Sequence, residues 1–355
     1  MKIITVIGSR PQFIKISAMC NTIKKYNNIE HIIIHTGQHF DSNMSQIFFK
    51  DLEIQEPKYN LNINCLNHGA MVGKQIEEIE KILISEKPEF VIVYGDTNAT
   101  LSGAIAASKL NMRVVHIEAG LRSFNKDMPE EINRILVDHC SQFLFVPTKN
   151  AENNLINEGI NINNIFLVGD IMYEVYNHYG NLAQNSSKIL DQLKLKPKEY
   201  YLVTIHRQET TENIEKLFCI IDALSESPKK IIFPIHPRTK NIIEKYNMNY
   251  NNIIEFIDPI GYMDMAKLQK NAKKIITDSG GMQKEAYFYK VPCITLREET
   301  EWVELVEKNV NVLVGSCKSS IIDKINTFEP NNFNYSFYGM GNTSVQIIET
   351  LYQNY

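Results

Sequence analysis

Several familiar signatures are missing from this 355-residue chain. No apolar run approaches the roughly 20 residues of a membrane-spanning helix, so no membrane partner is expected. The opening Met1-Lys2-Ile3-Ile4-Thr5-Val6-Ile7-Gly8 is too short for a signal core and runs straight into a turn; it reads as a first strand. Six cysteines, Cys20, Cys65, Cys140, Cys219, Cys293 and Cys317, form no C-x-x-C pair and mostly sit in apolar contexts. They read as reduced core thiols of a cytoplasmic protein. A basic excess is also missing: 37 Lys and Arg stand against 41 Asp and Glu, a net charge of −4. Nucleic acid is therefore not expected as a partner, because a phosphate backbone demands a basic footprint. A local basic pocket for one diphosphate stays compatible with that charge. No G-K-[ST] follows the first glycine turn and no G-x-G-x-x-G follows the first strand, which excludes a Walker A loop and a dinucleotide fingerprint. His35 and His39 have helical spacing but fall at a strand end, so no metal is expected. There is no short-period repeat, and the many Asn, Lys and Ile residues read as compositional bias.

What is present is ordinary globular material, 44% hydrophobic and 22% charged. The length exceeds what one hydrophobic core usually serves, which predicts two domains. Short β-branched runs predict strands at 3–7, 31–35, 90–94, 114–117, 143–146 and 165–168, then at 201–205, 230–235, 253–257, 274–277, 293–296 and 311–314. Helical patterns such as 72–85 and 100–110 lie between them. This alternation predicts an α/β fold of two doubly wound parallel sheets covered by helices. The boundary is placed near 170–177, giving domains 1–170 and 171–355, before a polar segment at 177–198. A last helix at 344–355 is expected to pack on one of the domains, with a return to the first as one arrangement.

Ligands of open α/β sheets bind beyond the carboxyl ends of the strands. The unusual polar clusters fall there: Gly37-Gln38-His39, Gly95-Asp96-Thr97-Asn98, Glu118-Ala119-Gly120-Leu121-Arg122, His206-Arg207, His236-Pro237-Arg238, and the runs 278–285 and 297–302. Two of them are glycine turns that open helices. Gly8-Ser9-Arg10-Pro11, with Lys15, and Ser279-Gly280-Gly281 each present backbone N–H groups and a helix N-terminus, which suits a phosphate. Two such turns predict a phosphorylated ligand in a cleft between domains. Ser279 can add its hydroxyl, Glu285 one turn on can accept from the two hydroxyls of a ribose, and His206 can donate to a diphosphate. The plain alternatives are an ordinary βα turn, a solvated helix charge and a satisfied strand-end histidine. Asp96, Glu118, Glu130 and Glu131 lie at or after strand ends. Carboxylates sharing one cleft suit general acid/base chemistry, and their repulsion is expected to raise at least one pKa. For Glu130 and Glu131 the plain alternative is compensation of a helix dipole.

Together these motifs, with Thr36-Gly37-Gln38-His39, His116-Ile117-Glu118-Ala119-Gly120-Leu121-Arg122 and Pro129-Glu130-Glu131-Ile132-Asn133-Arg134, resemble the non-hydrolysing UDP-N-acetylglucosamine 2-epimerases over nearly the whole chain. The resemblance implies the glycosyltransferase-B architecture, a UDP-sugar substrate, no redox cofactor and a homodimer. It implies that UDP leaves C1 as the C2 proton is lost, giving a glycal to which UDP adds back with C2 inverted. Asp96, Glu118, Glu130, His206 and Lys15 would then be catalytic. Arg10, His206, Ser279, Gly280, Gly281, Glu285, Arg122 and Arg134 would bind UDP or substrate. The first domain would carry the sugar and acid/base side, the second the UDP anchor. The sequence has Gln12-Phe13 where these enzymes commonly carry Glu-Ala, Glu299-Thr300-Glu301-Trp302 where they carry Thr-Glu-Arg-Pro, and Asn67-His68-Gly69 in place of an Arg-Gln pair tied to allosteric substrate binding. These variants are similar to a subgroup acting on UDP-2,3-diacetamido-2,3-dideoxy-glucuronate for surface polysaccharide such as O-antigen. A C6 carboxylate would want a cation, with His68, Arg122 and Arg238 as candidates. UDP-N-acetylglucosamine is the alternative substrate. A UDP-sugar glycosyltransferase and a non-catalytic nucleotide-sugar sensor are the more remote readings.

Overall fold

The computed structural model describes residues 1–37, 51–235, 237–246, 248 and 250–355. The expectations placed on Gln38, His39 and His236, and on the Arg238 side chain, lie outside the described residues. The chain forms two compact units, Met1–Asn177 with Ser336–Tyr355, and His178–Tyr335. It passes from one to the other inside the helix Ile171–Ser186. Among the described residues, no helix is long and apolar enough to cross a membrane.

The first unit holds seven strands: β1 (Lys2–Ile7), β2 (Glu30–His35), β3 (Tyr59–Asn60), β4 (Phe90–Tyr94), β5 (Arg113–Ile117), β6 (Phe143–Val146) and β7 (Ile165–Leu167). Their order is β3-β2-β1-β4-β5-β6-β7, and every pair is parallel. The second unit holds β8 (Tyr200–Thr204), β9 (Lys230–Pro234), β10 (Ile254–Ile257), β11 (Lys274–Thr277), β12 (Cys293–Thr295) and β13 (Asn311–Leu313), in the order β10-β9-β8-β11-β12-β13 and again all parallel. The α/β, two-sheet expectation holds. The strand missing from the sequence reading, β3, has two residues and pairs only at an edge, Ile34 opposite Tyr59.

Strands covered on both faces need apolar side chains on both, which is why they read as unbroken Ile and Val runs. Ile3, Ile4, Val6 and Ile7 of β1 and all of β4 are fully buried. The helix Asn98–Lys109 lies close against this pair: a Cβ on Gly103 would sit 2.9 Å from Val93 Cγ1 and 3.1 Å from Val6 Cβ. Glycine at that position lets the helix approach, and so fixes where its N-terminus stands beside the end of β4.

The C-terminal helix Thr343–Gln353 belongs to the first unit. Ser344 N donates to Glu174 Oε2 at 2.8 Å, and the hydroxyls of Thr22 and Ser344 are 2.6 Å apart. Asp170 N donates to Tyr338 O at 3.0 Å, tying the returning segment to the end of the sheet.

In each sheet the chain order reverses between two central strands, β1 and β4 in the first and β8 and β11 in the second. Loops after such neighbours run apart and leave a crevice, where ligands of this fold class bind.

One core residue gives this fold a pH dependence. His31 on β2 is buried, with Nε2 2.9 Å from Thr5 Oγ1. Burial pushes its pKa from 6.5 down to about 4. The unfolded chain therefore takes up a proton that the folded one refuses. The contribution is complete above pH 6.5 and is lost as pH falls through 4, a change of about 3 kcal/mol. Urea unfolding of wild type and His31→Gln at pH 7 and pH 4 should show their stability difference move by about that amount toward the variant. A pH-independent difference would overturn this account.

Candidate active site

The first switch point is built around Gln12. Ser9 caps the helix Arg10–Ile23, and Gln12 stands at the third helical position. Gln12 Oε1 accepts from Gly8 N at 2.8 Å, Ser9 N at 3.1 Å and Ser9 Oγ at 3.3 Å. Its Nε2 donates to Tyr94 O and Thr100 Oγ1, both at 3.0 Å. This is a capping box extended to the next strand and helix. It also corrects an expectation: the Gly8 and Ser9 amides are engaged within the turn, and Pro11 has none to offer. Arg10 stands half-buried at the first helical position.

The acids gather beside this turn. Lys15 Nζ pairs with Glu118 Oε2, and both side chains are largely buried. Glu118 follows β5 in a left-handed conformation, φ 70°. Gly95, after β4, lies against the pair: a Cβ there would be 3.1 Å from both Glu118 Oε2 and Lys15 Nζ. Asp96 follows directly, its side chain 34% exposed and paired through Oδ2 with Arg134 Nη2. Arg134 Nη1 donates to Glu131 Oε2 at 2.8 Å. Glu131 accepts in turn from Ser123 N, Ser123 Oγ and Phe124 N, each at 2.9 Å. Glu131 is 1% exposed, so it anchors a loop and does more than face a helix dipole. Glu130 is half-exposed in the first turn of the helix Pro129–Cys140. Asp96 and Glu118 each have a cation against them.

A hydrogen-bonded chain runs outward from Asp96. Asn133 Nδ2 donates to Asp96 O at 2.9 Å and to Asn98 Oδ1 at 3.3 Å. Asn98 Nδ2 lies 3.1 Å from His68 Nδ1. His68 is exposed at the start of the helix His68–Glu86. The Asn98 amide donates, so His68 Nδ1 accepts and Nε2 carries the proton. Arg122 is engaged within the first unit. Its side chain is 1% exposed and donates to Asp138 Oδ2, to both Glu158 oxygens and to Leu121 O, all at 2.7 Å.

The second switch point centres on Asp278, which is fully buried after β11. Its carboxylate accepts from Arg207 N at 3.0 Å and from His206 N at 3.1 and 3.2 Å. This ties the end of β8 to the end of β11. His206 itself is open, its side chain 57% exposed, with Nδ1 3.5 Å from Asp278 Oδ1. Ser279 caps the helix Gly280–Phe288 by accepting from Met282 N at 3.4 Å. Among the described residues nothing accepts from Gly280 N or Gly281 N. Space is open where a Gly281 Cβ would be, whereas a Gly280 Cβ would collide with Glu301 Oε1. Arg297 Nη1 holds Glu301 from the other side at 2.9 Å. Glu285, half-exposed one turn along, accepts from Gln269 Nε2. The sequence reading missed Gln12, Asp138 and Asp278 as organisers. Their signal is a polar residue next to a strand end whose partners lie far away in sequence.

Acids paired with cations stand at the first switch point, and helix-start amides beside a histidine stand at the second. Similarity to known proteins makes this specific. A family model described as UDP-N-acetylglucosamine 2-epimerase matches residues 21–352. A Methanococcus maripaludis protein named UDP-N-acetylglucosamine 2-epimerase homolog is 52% identical over 99% of both chains. The Pseudomonas aeruginosa UDP-2,3-diacetamido-2,3-dideoxy-D-glucuronate 2-epimerase is 44% identical, again over 99% of both. The crystal structure of Methanocaldococcus jannaschii UDP-GlcNAc 2-epimerase, in complex with UDP-GlcNAc and UDP, matches with a TM-score of 0.94 at 43% identity, over 99% of this chain and 100% of that one. The chain belongs to the non-hydrolysing UDP-N-acetylglucosamine 2-epimerase family, isomerases of nucleotide sugars with a glycosyltransferase-B-like fold.

The Gln12 network can be tested on stability alone. Gln12→Leu strands the Gly8 and Ser9 amides and should lower stability by about 2–4 kcal/mol. The measurement is the urea midpoint of the first unit followed by hydrogen exchange. A loss below about 0.5 kcal/mol would mean that the turn is held by other contacts.

Proposed function

We propose that this protein inverts C2 of UDP-2,3-diacetamido-2,3-dideoxy-glucuronate, giving the manno epimer for surface polysaccharide synthesis. In the reaction a base takes the C2 proton while the C1–O bond breaks and UDP leaves with the bonding electrons. UDP then adds back to C1 of the glycal, and a proton reaches C2 on the opposite face. Asp96, Glu118 and Glu130 are the proton-transfer groups in this reading. Lys15 holds Glu118, and Arg134 holds Asp96 and Glu131. Arg10, His206 and the Gly280 and Gly281 amides stabilise the departing diphosphate, and Glu285 takes the ribose hydroxyls. Arg122, with its guanidinium engaged by Asp138 and Glu158, receives no substrate contact. A homodimer and a cytoplasmic location go with this reading through the family.

The observation that carries the substrate choice is His68. It stands where the N-acetylglucosamine enzymes carry part of an Arg-Gln pair, and it is linked through Asn98 and Asn133 to Asp96. Its Nε2–H is a donor suited to a C6 carboxylate. The 44% identity to the Pseudomonas aeruginosa enzyme supports the same choice. The second reading, UDP-N-acetylglucosamine, is supported by the name of the Methanococcus maripaludis relative and by the Methanocaldococcus jannaschii complex.

Incubation with each UDP-sugar in D2O separates the readings. The expected result is deuterium at C2 and the manno epimer from the diacetamido-glucuronate, without an acceptor. Label appearing only with UDP-N-acetylglucosamine would select the second reading. A strict need for an acceptor would point to a glycosyltransferase, and UDP binding without exchange to a sensor. Asp96→Asn should cut exchange by about 10²–10⁴-fold while UDP affinity stays within a few-fold; loss of UDP binding would give Asp96 a structural role instead. His68→Ala should reduce kcat/KM for the glucuronate about tenfold, the worth of roughly one hydrogen bond to a charge, and leave UDP-N-acetylglucosamine turnover nearly unchanged. Equal losses on both substrates would remove His68 as the selector.

A further inference from the structure

A fully buried histidine on a parallel strand is out of place unless both ring nitrogens are satisfied. His116 on β5 meets that condition. Its Nδ1 is 2.7 Å from Asp138 Oδ1 and its Nε2 is 2.8 Å from Gly95 O, with both residues fully buried. The ring thus has both nitrogens at hydrogen-bonding distance from an acceptor, a carboxylate on one side and a carbonyl on the other. The charges around it balance: Asp138 faces both His116 and Arg122, and Arg122 is shared with Glu158. Burial would raise the Asp138 carboxyl, but the charges and hydrogen bonds of His116 and Arg122 outweigh it and hold the group below the usual carboxylate range.

Both ends of this cluster reach the candidate acids. Gly95, whose carbonyl stands as acceptor at His116 Nε2, immediately precedes Asp96. Gly120, whose N–H donates to Asp138 Oδ1 and Oδ2 at 3.3 and 3.2 Å, comes two residues after Glu118. Each of these loops has little freedom of its own. Gly95 and Gly120 are left-handed at φ 63° and 77°, and a Cβ on Gly120 would collide with Ala151 O.

We propose that His116 and Asp138 form a buried positioning pair that fixes, from behind, the two loops carrying Asp96 and Glu118, and so sets the distance between two proton-transfer groups. Neither residue touches substrate. The inference rests on the roles given to Asp96 and Glu118 above. It goes beyond them by naming what holds those acids in register.

The test compares His116→Asn, which can still donate to Asp138 but not reach Gly95, with His116→Gln, whose amide reaches toward the Gly95 carbonyl. Asp96→Asn and Glu118→Gln are run alongside. For a displaced acid the expected loss in kcat is about 10–100-fold in H116N. KM and UDP affinity should stay within about threefold, and H116Q should recover part of the loss. A purely structural role would lower the folded fraction and leave kcat per folded molecule unchanged, which would overturn the proposal. If D96N and E118Q abolish exchange while H116N turns over normally, the positioning role fails and the acid assignment stands. If D96N and E118Q both turn over normally, the acid assignment fails and takes the positioning role with it. Should H116N not fold, the unmodified protein supplies the answer. With ¹⁵N-labelled histidine, the His116 ring should show a slowly exchanging Nε2–H hydrogen-bonded to the Gly95 carbonyl, and its absence would overturn the proposal.

Discussion

A carboxylate removed from water must be surrounded by donors, and much of this molecule's organisation follows from three that are. Asp138, Glu131 and Asp278 are all essentially inaccessible. Leaving any of them ionised and unpaired would cost several kcal/mol. The donors that relieve the cost include backbone N–H groups of strand-end loops beside the side chains of His116, Arg122 and Arg134: Gly120 for Asp138, Ser123 and Phe124 for Glu131, and His206 and Arg207 for Asp278. A loop whose amides are needed in this way cannot drift. The buried charge turns what would be mobile connections into fixed mounts.

The mounts are graded by depth. In the helix Pro129–Cys140, Glu131, Arg134 and Asp138 recur at i, i+3 and i+7, which puts them on one buried face. Glu130 lies off that face and is half-exposed. Asp96 is held by the inner layer through Arg134 and Asn133 but keeps a third of its side chain open. The same division appears in the second unit, where buried Asp278 holds the backbone of exposed His206. Asp96 and His206 are the outer members, and each has a buried partner that sets its place, Arg134 for the one and Asp278 for the other.

This depth explains which features the sequence disclosed. Strands such as β1 and β4 are apolar on both faces, so their Ile and Val runs announce them without any partner being known. The polar clusters at their ends are legible because a charged or glycine-rich break in such a run has few other causes. What stays hidden depends on partners distant in sequence. Arg122 looks like a ligand cation until Asp138 and Glu158 are seen on it, 16 and 36 residues away. Glu131 reads as a dipole residue because the loop it anchors has no periodicity. The edge strand β3, at two residues, is too short to have a pattern at all.

The two glycine turns show how one position changes the meaning of similar sequences. Both begin a helix after a central strand, and both have serine at the N-cap. At the third helical position the first turn has Gln12 and the second has Met282. Gln12 reaches back and takes the Gly8 and Ser9 amides, and Pro11 contributes no N–H of its own. In the second turn the matching amides are taken by other groups, Asp278 N donating to Thr204 O at 3.3 Å and Ser279 N to Thr277 Oγ1 at 3.0 Å. The turns differ at the second helical position, where Pro11 has no N–H and Gly281 keeps one, the kind of donor an anion needs at a helix N-terminus. The first turn has spent its amides on rigidity, and that suits the side of the molecule where Lys15 and Glu118 must be held in place. Proline against glycine at one helical position therefore separates a turn closed on itself from one with a donor left over.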